Sequence, residues 1–460
     1  MLLRLHSSTS ALTHRSNRQI RSSIPHHKYF YRTLCAFTDR EWDEELSIQP
    51  QALDEPDEVH TVPATSRRNK VPDSAPLDLH HLDKAFNGPQ KQLKKLCLVH
   101  ASSGTSLSTP MSALRKIKAW ALNHTLDPAA IHSQLETAGV PVSSADCRTC
   151  ADPCQDGHGE YPSRFTVDME TQMLGSVRPF CRQIMVSTGV TDWDREITRT
   201  SGSLASHISS AHRKVAIPHS NANPDLPHIP GIFNASDSAE IAILNGSHKT
   251  ISDDHQLETI LVFPDYVVVS GVPSTWQGAK MLWNSVLDPR IPRILGSTAD
   301  EAAFSTWVLP YSCVITLCSH KRRDNRCGIS APKLEHEFTH SLQHRGWTVD
   351  TQLEHMIESP LEKFNGTNEE KEAHVLETLK ELQDDKKALI LYNSHMGGHR
   401  YAGNCIIYTP RGTSVWYGRV SPHEVEAVVE NTIEKGLILP PLLRGGLGLS
   451  KQGCKSLHDW

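Results

Sequence analysis

Short apolar runs recur along the chain from about residue 180 onward, and each ends near a glycine, a proline or a polar cluster. Runs of this length that are rich in β-branched residues favour buried strands. The strand-like runs are Gln183–Ser187, Leu261–Ser270, Trp307–Leu317, Ala388–Tyr392, Cys405–Tyr408 and Ser414–Tyr417. These runs predict a protein built around β-sheet.

Helical periodicity separates several of these runs. The segments that predict helices are Ser330–Arg345, Glu369–Leu382 and a segment from Ser421 to Gly436. In the first, Leu334, Phe338 and Leu342 recur every four residues, and Ser330 can cap the first turn. The third opens on a capping box with proline in the first turn, Ser421-Pro422-His423-Glu424. The sequence therefore predicts an α/β protein.

The order of these elements divides the chain into two globular units, residues 145–300 and 301–436. The second unit reads β-α-(α)-β-β-β-α, which is close to a thioredoxin-like layout with a cysteine-bearing loop after its first strand. Residues 39 to about 95 lack periodic apolar positions, and residues 110–124 fit one short helix, so that residues 39–144 are predicted to be a mostly disordered linker. Residues 437–460 follow the last predicted helix as a tail.

The first 38 residues are rich in arginine and serine and contain no acidic residue before Asp39. This composition is typical of a mitochondrial transit peptide, and a disordered basic tail is the alternative. The net charge of -5 gives no indication of nucleic-acid binding. No apolar run reaches about 18 residues, so we expect no membrane insertion.

Two pairs of residues suggest redox chemistry. Cys318 and Cys327 bracket the segment CSHKRRDNRC, and His395 and His399 bracket HMGGH. Two thiolates and two imidazoles are the ligand inventory of a Rieske two-iron centre, although Rieske motifs mix cysteine and histidine within each pair. Eight residues between the cysteines exceed the usual zinc-knuckle spacing. A buried strand-end thiol and polar loop histidines are the alternative interpretation.

The loop between the cysteines carries four cations, Lys321, Arg322, Arg323 and Arg326. We expect them to favour the reduced, more negative state of any cluster bound here.

Five stretches of the chain resemble the sucrase/ferredoxin-like family, and more specifically its fungal "altered inheritance of mitochondria" branch of thioredoxin-like ferredoxins. The stretches that carry the resemblance are PFCRQIMVSTGVTDWDREI, FPDYVVVSG, ITLCSHKRRDNRCGISAP, HMGGHRYAGNCIIYTPRG and WYGRVSPHEVEAVVENTI. The resemblance covers about residues 145–436 and implies a C-terminal thioredoxin-like domain. It also implies a [2Fe-2S] cluster, with Cys318 and Cys327 on one iron and His395 and His399 on the other.

A second cysteine group, Cys147, Cys150 and Cys154, lies close to His158 in CRTCADPCQDGH. Three cysteines and a histidine can hold a metal ion. Cys147 and Cys150 also form a CxxC pair that can be redox-active. Structural thiols are the third interpretation.

A third motif, His336-Glu337-Phe338-Thr339-His340, matches the HExxH signature of zinc proteases. Its extended form fails because position 343 is glutamine and not glycine. The motif is short enough to arise by chance on a helix.

Taken together, the sequence predicts a mitochondrial electron-transfer or redox quality-control protein, without turnover of a small substrate. Its expected partners are a redox donor, a redox acceptor and the iron–sulfur assembly machinery. Two rival hypotheses stay open. One is a cluster-free thiol redox protein that uses Cys147 and Cys150. The other is a zinc metalloprotease built on His336, Glu337 and His340.

Overall fold

The computed structural model describes residues 128–152, 154–214, 229–291 and 304–459. The predicted transit peptide and most of the predicted linker lie outside these ranges. The helices are α1 Pro128–Thr137, α2 Leu204–Lys214, α3 Trp276–Leu282, α4 Asn325–His344, α5 Asn368–Glu381 and α6 Pro422–Ala427. The strands are β1 Arg182–Ser187, β2 Ile232–Phe233, β3 Ile241–Gly246, β4 Leu257–Phe263, β5 Val267–Pro273, β6 Ser305–Val308, β7 Cys313–Cys318, β8 Thr348–Asp350, β9 Lys387–Asn393, β10 Cys405–Tyr408, β11 Ser414–Tyr417 and β12 Leu443–Leu447.

Within the described ranges, these strands form one mixed sheet with helices packed against it, which confirms the α/β class. The strand order is β2-β12-β11-β10-β7-β9-β3-β1-β4-β5-β6, with β8 beside β9. The prediction of two separate units is not confirmed, because the pairing of Gly246 with Asn393 joins β3 to β9 in one sheet.

Two of the predicted strands are in fact two strands each. The run Trp307–Leu317 is interrupted after β6, because Pro310 has no N–H to donate to a ladder. The run Leu261–Ser270 contains a turn at Pro264-Asp265, so that β4 and β5 form an antiparallel hairpin. Apolar periodicity does not reveal a tight turn when the residues on both sides are buried.

The core element of the C-terminal part is the pair β7 and β9. They run parallel, and Cys318 lies opposite Asn393 at their carboxyl ends. All six residues of β7 are buried. Strands buried on both faces read as continuous apolar runs, which is why the pattern identified them. Helix α4 covers one face through Leu334, Phe338 and Leu342, as the four-residue spacing predicts.

Helix α4 begins five residues earlier than the sequence indicates. Its first residue is Asn325, and the Asp324 side chain accepts a hydrogen bond from the Arg326 backbone N–H as the N-cap. Ser330 is inside the helix and buried. Cys327 therefore lies in the first turn of α4 and not on a loop.

Segments at both ends of the described chain pack onto the sheet. Helix α1 lies within the stretch 39–144, and Leu135 is fully buried in the same cluster as α4. In the predicted tail, β12 pairs with β11 and with β2. None of the helices described is long and apolar enough to cross a membrane.

Candidate metal centre

The parallel pairing of β7 and β9 determines where the candidate ligands lie. Cys318 ends β7, and His395 follows the end of β9 by two residues. Both therefore lie at the same edge of the sheet. Cys318 is 1% exposed. The other two residues reach this edge from α4, which supplies Cys327, and from the turn after β9, which supplies His399.

The two thiols share one buried environment. The Cys327 thiol, the His395 ring and the Met396 backbone N–H hold the pKa of Cys318 well below its usual range, against the effect of burial. The pKa of Cys327 is raised by the neighbouring Cys318 and by burial. One thiol thus ionises easily, and the second would ionise only with a further positive charge beside it. Cys327 also lies at the N-terminal end of α4, where the helix dipole favours a thiolate.

The histidines direct their Nδ1 atoms into the protein. The ring centroids of His395 and His399 are 5.2 Å apart. Both Nδ1 atoms are buried, and neither has a hydrogen-bond partner among the described residues. The side chain of His399 is 42% exposed. Burial lowers the pKa of His399, while the Asp324 carboxylate opposes that shift. Buried polar atoms usually have partners, and among the described residues His248 Nδ1 is also unpaired, so what distinguishes these two nitrogens is their position beside the two thiols.

The sequence did not single out His320, although it lies in the cysteine loop. Its Nδ1 accepts a hydrogen bond from the His395 backbone N–H at 3.1 Å. A backbone N–H can only donate, so the proton of the ring is on Nε2, which donates to the Trp193 carbonyl at 2.9 Å. His320 is fully buried. It therefore fixes the start of the turn that carries His395 and His399.

Arg444 is a second residue that the sequence did not indicate. It is 1% exposed and donates to the Gly397 carbonyl and to the Asn404 Oδ1 atom. Burial lowers its pKa to about 10, and the charges of Cys318 and other neighbours oppose that shift. Gly398 has φ of +65°, and a Cβ there would be 2.5 Å from Arg444 Cζ. The glycine pair of HMGGH thus allows the turn to fold over a buried cation.

The four loop cations contribute less than the sequence suggests, because three of them are paired with carboxylates. Arg322 contacts Asp192 and Asp194, and Arg323 contacts Glu196. Arg326 contacts Asp324. Lys321 is exposed. The buried cation that interacts with the charges of both thiols is Arg444, which comes from the predicted tail.

The N-terminal cysteines separate into two environments. Cys147 packs against the core cluster of α1 and α4, and burial raises its pKa to about 11. A redox-active thiol requires the opposite shift. Cys150 and Cys154 lie instead in a group with His158 and His423, in which the ligand atoms are all within 4.8 Å of one another.

Among the described residues, the HExxH residues belong to no metal group. His336 and His340 are exposed on α4, and the group found among the described residues includes neither of them. Glu337 contacts His158 instead, with 3.5 Å between its Oε1 and Nε2 of the histidine.

A sequence-family model described as sucrase/ferredoxin-like matches residues 173–445, which include both candidate pairs and Arg444. The chain belongs to the sucrase/ferredoxin-like family. This membership confirms the resemblance drawn from the motifs. No solved structure matches the chain.

Relatives in fungi support the same branch. "Altered inheritance of mitochondria protein 32" of Clavispora lusitaniae is 26% identical over 313 residues, which cover 66% of this chain and 93% of that protein. The protein of the same name in Debaryomyces hansenii is 25% identical over 307 residues, covering 62% of this chain and 89% of that protein. "Actin patches distal protein 1" of Saccharomyces cerevisiae is 24% identical over 308 residues, covering 65% and 82%.

Proposed function

We propose that this member of the sucrase/ferredoxin-like family is a mitochondrial protein that holds a [2Fe-2S] cluster through Cys318, Cys327, His395 and His399. Such a cluster would supply one-electron transfer. The protein would act in electron transfer or redox quality control, with donor and acceptor proteins as partners and the iron–sulfur assembly machinery as the source of the cluster. The C-terminal part would be a thioredoxin-like domain.

One observation carries the proposal. The Nδ1 atoms of His395 and His399 are buried and have no hydrogen-bond partner among the described residues, and both belong to the turn beside two buried thiols. A buried donor or acceptor left without a partner costs about 1–3 kcal/mol. A coordinate bond from each nitrogen to iron would satisfy both atoms. The positive charge of the iron would allow both thiols to ionise.

The surrounding residues suit such a group. His320 fixes the backbone of the histidine turn, and Asp324 lies 4.0 Å from the Nε2 atom of His399. A carboxylate on the outer nitrogen is a common partner of a metal-bound imidazole. Arg444 places a buried positive charge beside the thiols, which favours added negative charge at the site. His399 lies at the surface, so a partner protein can approach this edge.

The strand arrangement supports the thioredoxin-like layout. Parallel β7 and β9 lie beside the antiparallel hairpin β10–β11, and α6 follows the hairpin. The mitochondrial location is supported by the transit-peptide composition of residues 1–38 and by the names of the relatives.

The test is the visible spectrum of the full chain, purified without oxygen, with iron and sulfide analysis. We expect a red-brown protein with about two irons and two sulfides per chain. His395→Cys and His399→Cys should each retain iron and shift the spectrum, because a thiolate replaces an imidazole. His344→Cys, on the exposed last turn of α4, is the matched control and should leave the spectrum unchanged.

A colourless protein after anaerobic purification and after reconstitution with iron and sulfide would refute the proposal. A coloured protein whose spectrum is the same in both histidine variants would refute the assigned ligands.

A further inference from the structure

A second cysteine–histidine group lies apart from the candidate cluster residues. Cys150, Cys154 and His158 come from one loop, and His423 comes from the first turn of α6. Cys150 Sγ is 3.3 Å from His423 Nδ1, and Cys154 Sγ is 3.2 Å from His158 Nδ1. The two imidazole rings meet edge to face, with 5.2 Å between their centroids.

The spacing of these atoms suits a single ion. In a tetrahedral zinc site with bonds of about 2.3 Å to sulfur and about 2.0 Å to nitrogen, neighbouring ligand atoms are roughly 3.3–3.8 Å apart. The four atoms here all lie within 4.8 Å of one another, so closure around an ion needs only small shifts. Three residues separate Cys150 from Cys154, which is within the spacing usual for structural zinc.

Each histidine has a carboxylate on its outer nitrogen. His158 Nε2 is 3.5 Å from Glu337 Oε1, and His423 Nε2 is 3.2 Å from Glu160 Oε1. A carboxylate there keeps the ring proton on Nε2 and leaves the Nδ1 lone pair facing the sulfurs. This orientation is the one found for metal-bound histidines, whose second nitrogen nearly always donates to a carboxylate or carbonyl group.

The chemistry of the donors indicates which metal. Two thiolates and two imidazoles with four protein ligands and no open position are typical of structural zinc. A closed site of this kind holds chain segments together and performs no catalysis. The segment it would hold, between α1 and β1, contains no helix or strand in its described part and has few buried apolar residues near the cysteines.

We propose that Cys150, Cys154, His158 and His423 bind one Zn²⁺ ion that fastens the loop before β1 to helices α4 and α6. Glu337 and Glu160 are positioning residues for the two histidines. The match of His336–His340 to HExxH is then a coincidence of sequence. Of these residues only Glu337 takes part, because its carboxylate lies 3.5 Å from Nε2 of His158. The proposal is independent of the [2Fe-2S] cluster.

The first experiment measures zinc by mass spectrometry in the full chain, purified without chelators and then exposed to equimolar Zn²⁺. We expect about one zinc per chain, and less than a tenth of that in the Cys150→Ser/Cys154→Ser double variant. Cys147→Ser is the matched control, because this thiol lies three residues away and outside the group. It should keep its zinc. Iron, sulfide and the visible spectrum should be the same in all these proteins.

Two further measurements keep the test valid if the double variant fails to fold. Cobalt exchanged into the unmutated protein should give the intense visible bands of a tetrahedral site, and zinc-edge X-ray absorption should show two sulfur and two nitrogen neighbours. Glu337→Gln should weaken zinc binding roughly 10- to 100-fold in a chelator competition. His336→Ala should not change it.

Absence of zinc uptake by the unmutated protein would overturn the proposal. So would zinc that survives the double substitution, or zinc that is lost on Cys147→Ser or His336→Ala, since either loss would assign a different ligand set. Loss of iron in His395→Ala with zinc retained would leave this site intact and show that the two sites are separate.

Discussion

Burial controls the protonation of His248, a residue of the turn after β3. Its side chain is fully buried, and its Nε2 atom contacts the Thr259 carbonyl at 3.4 Å. Burial lowers its pKa to about 4, and the Thr259 carbonyl opposes that shift. In the unfolded chain the His248 imidazole binds a proton as the pH falls through about 6.5. In the folded chain it binds the proton only near pH 4.

This difference predicts that acid weakens the fold through His248. The contribution of His248 to the free energy of unfolding is complete above about pH 6.5 and is lost as the pH falls to about 4. The loss is on the order of 3 kcal/mol. We expect His248→Leu to be less stable at pH 7.5 and to lose less stability than the parent between pH 7.5 and 5. Urea unfolding at both pH values measures the difference. His344→Leu, an exposed control, should match the parent, and an equal acid loss in His248→Leu would refute the assignment.

At this scale the sequence identifies residues with a local signature and misses those without one. Cys318, Cys327, His395 and His399 are conspicuous because each pair is close in sequence. His423 approaches Cys150 only through the fold, since the two are 273 positions apart in sequence. Arg444 lies in an apolar, glycine-rich segment that gives no local signal of a buried charge. The sequence predicts a group of Cys147, Cys150, Cys154 and His158, whereas the structure has His423 in place of Cys147.

Helix α4 joins both sites, because its first turn carries Cys327 and its middle carries Glu337. Asp324 makes three interactions at its start. It caps the Arg326 N–H, its carboxylate pairs with the Arg326 guanidinium, and it lies 4.0 Å from Nε2 of His399. The four N–H groups of a helix start need acceptors, and a neutral amide can serve as well as a carboxylate in this respect. The cap can therefore be separated by substitution from the two interactions that need the negative charge, which are those with Arg326 and His399.

We expect Asp324→Ala to lower the free energy of unfolding by about 1 kcal/mol, because it removes the cap. Asp324→Asn should keep most of that stability while removing the charge beside His399. Thr367→Ala removes the cap of α5 and is the control for a cap far from the site. Thermal unfolding measures the caps, and the pH titration of His399 by NMR measures the charge. If Asp324→Asn is as unstable as Asp324→Ala, the cap is not the stabilising interaction.

The sequence located helices and strands well where one period dominates, as in α4, where every fourth residue is buried. It placed the start of α4 too late because Arg326 and Asn325 look like loop residues and the cap at Asp324 precedes any apolar position. It merged strands where two buried runs meet at a short turn, as at Pro264 and Pro310.

At the scale of the whole molecule, each half of the sequence contributes one strand to the part of the sheet that the other half forms. Among the described strands, β6 follows residue 300 yet pairs with β5, and β2 precedes it yet pairs with β12. The boundary expected between 300 and 301 therefore crosses the pairing pattern. Local patterns cannot predict this, because the partners of a strand are set by contacts between residues far apart in sequence.

The position of β12 predicts the effect of truncation. A chain that ends at Gly436 lacks β12 and Arg444, so β11 and β2 lose their partner and a buried cation is missing. We expect it to be insoluble or to unfold without a cooperative transition. A chain that ends at Ser450 keeps β12 and loses the contacts of Leu457 and His458, and should fold with a lower melting temperature. Circular dichroism melts of both chains test this, and normal melting of the shorter chain would contradict it.

The exchange of β2 and β6 also bears on how such a protein can evolve. A gene that encoded only one half of the sheet would lack a strand that the other half supplies, and the product would present an open edge where a neighbour belongs. Recombination at the middle of the gene would therefore separate strands that pair with each other, and would not yield two independent domains. The two halves have to be inherited together, and substitutions in one half are constrained by an edge that the other half encodes.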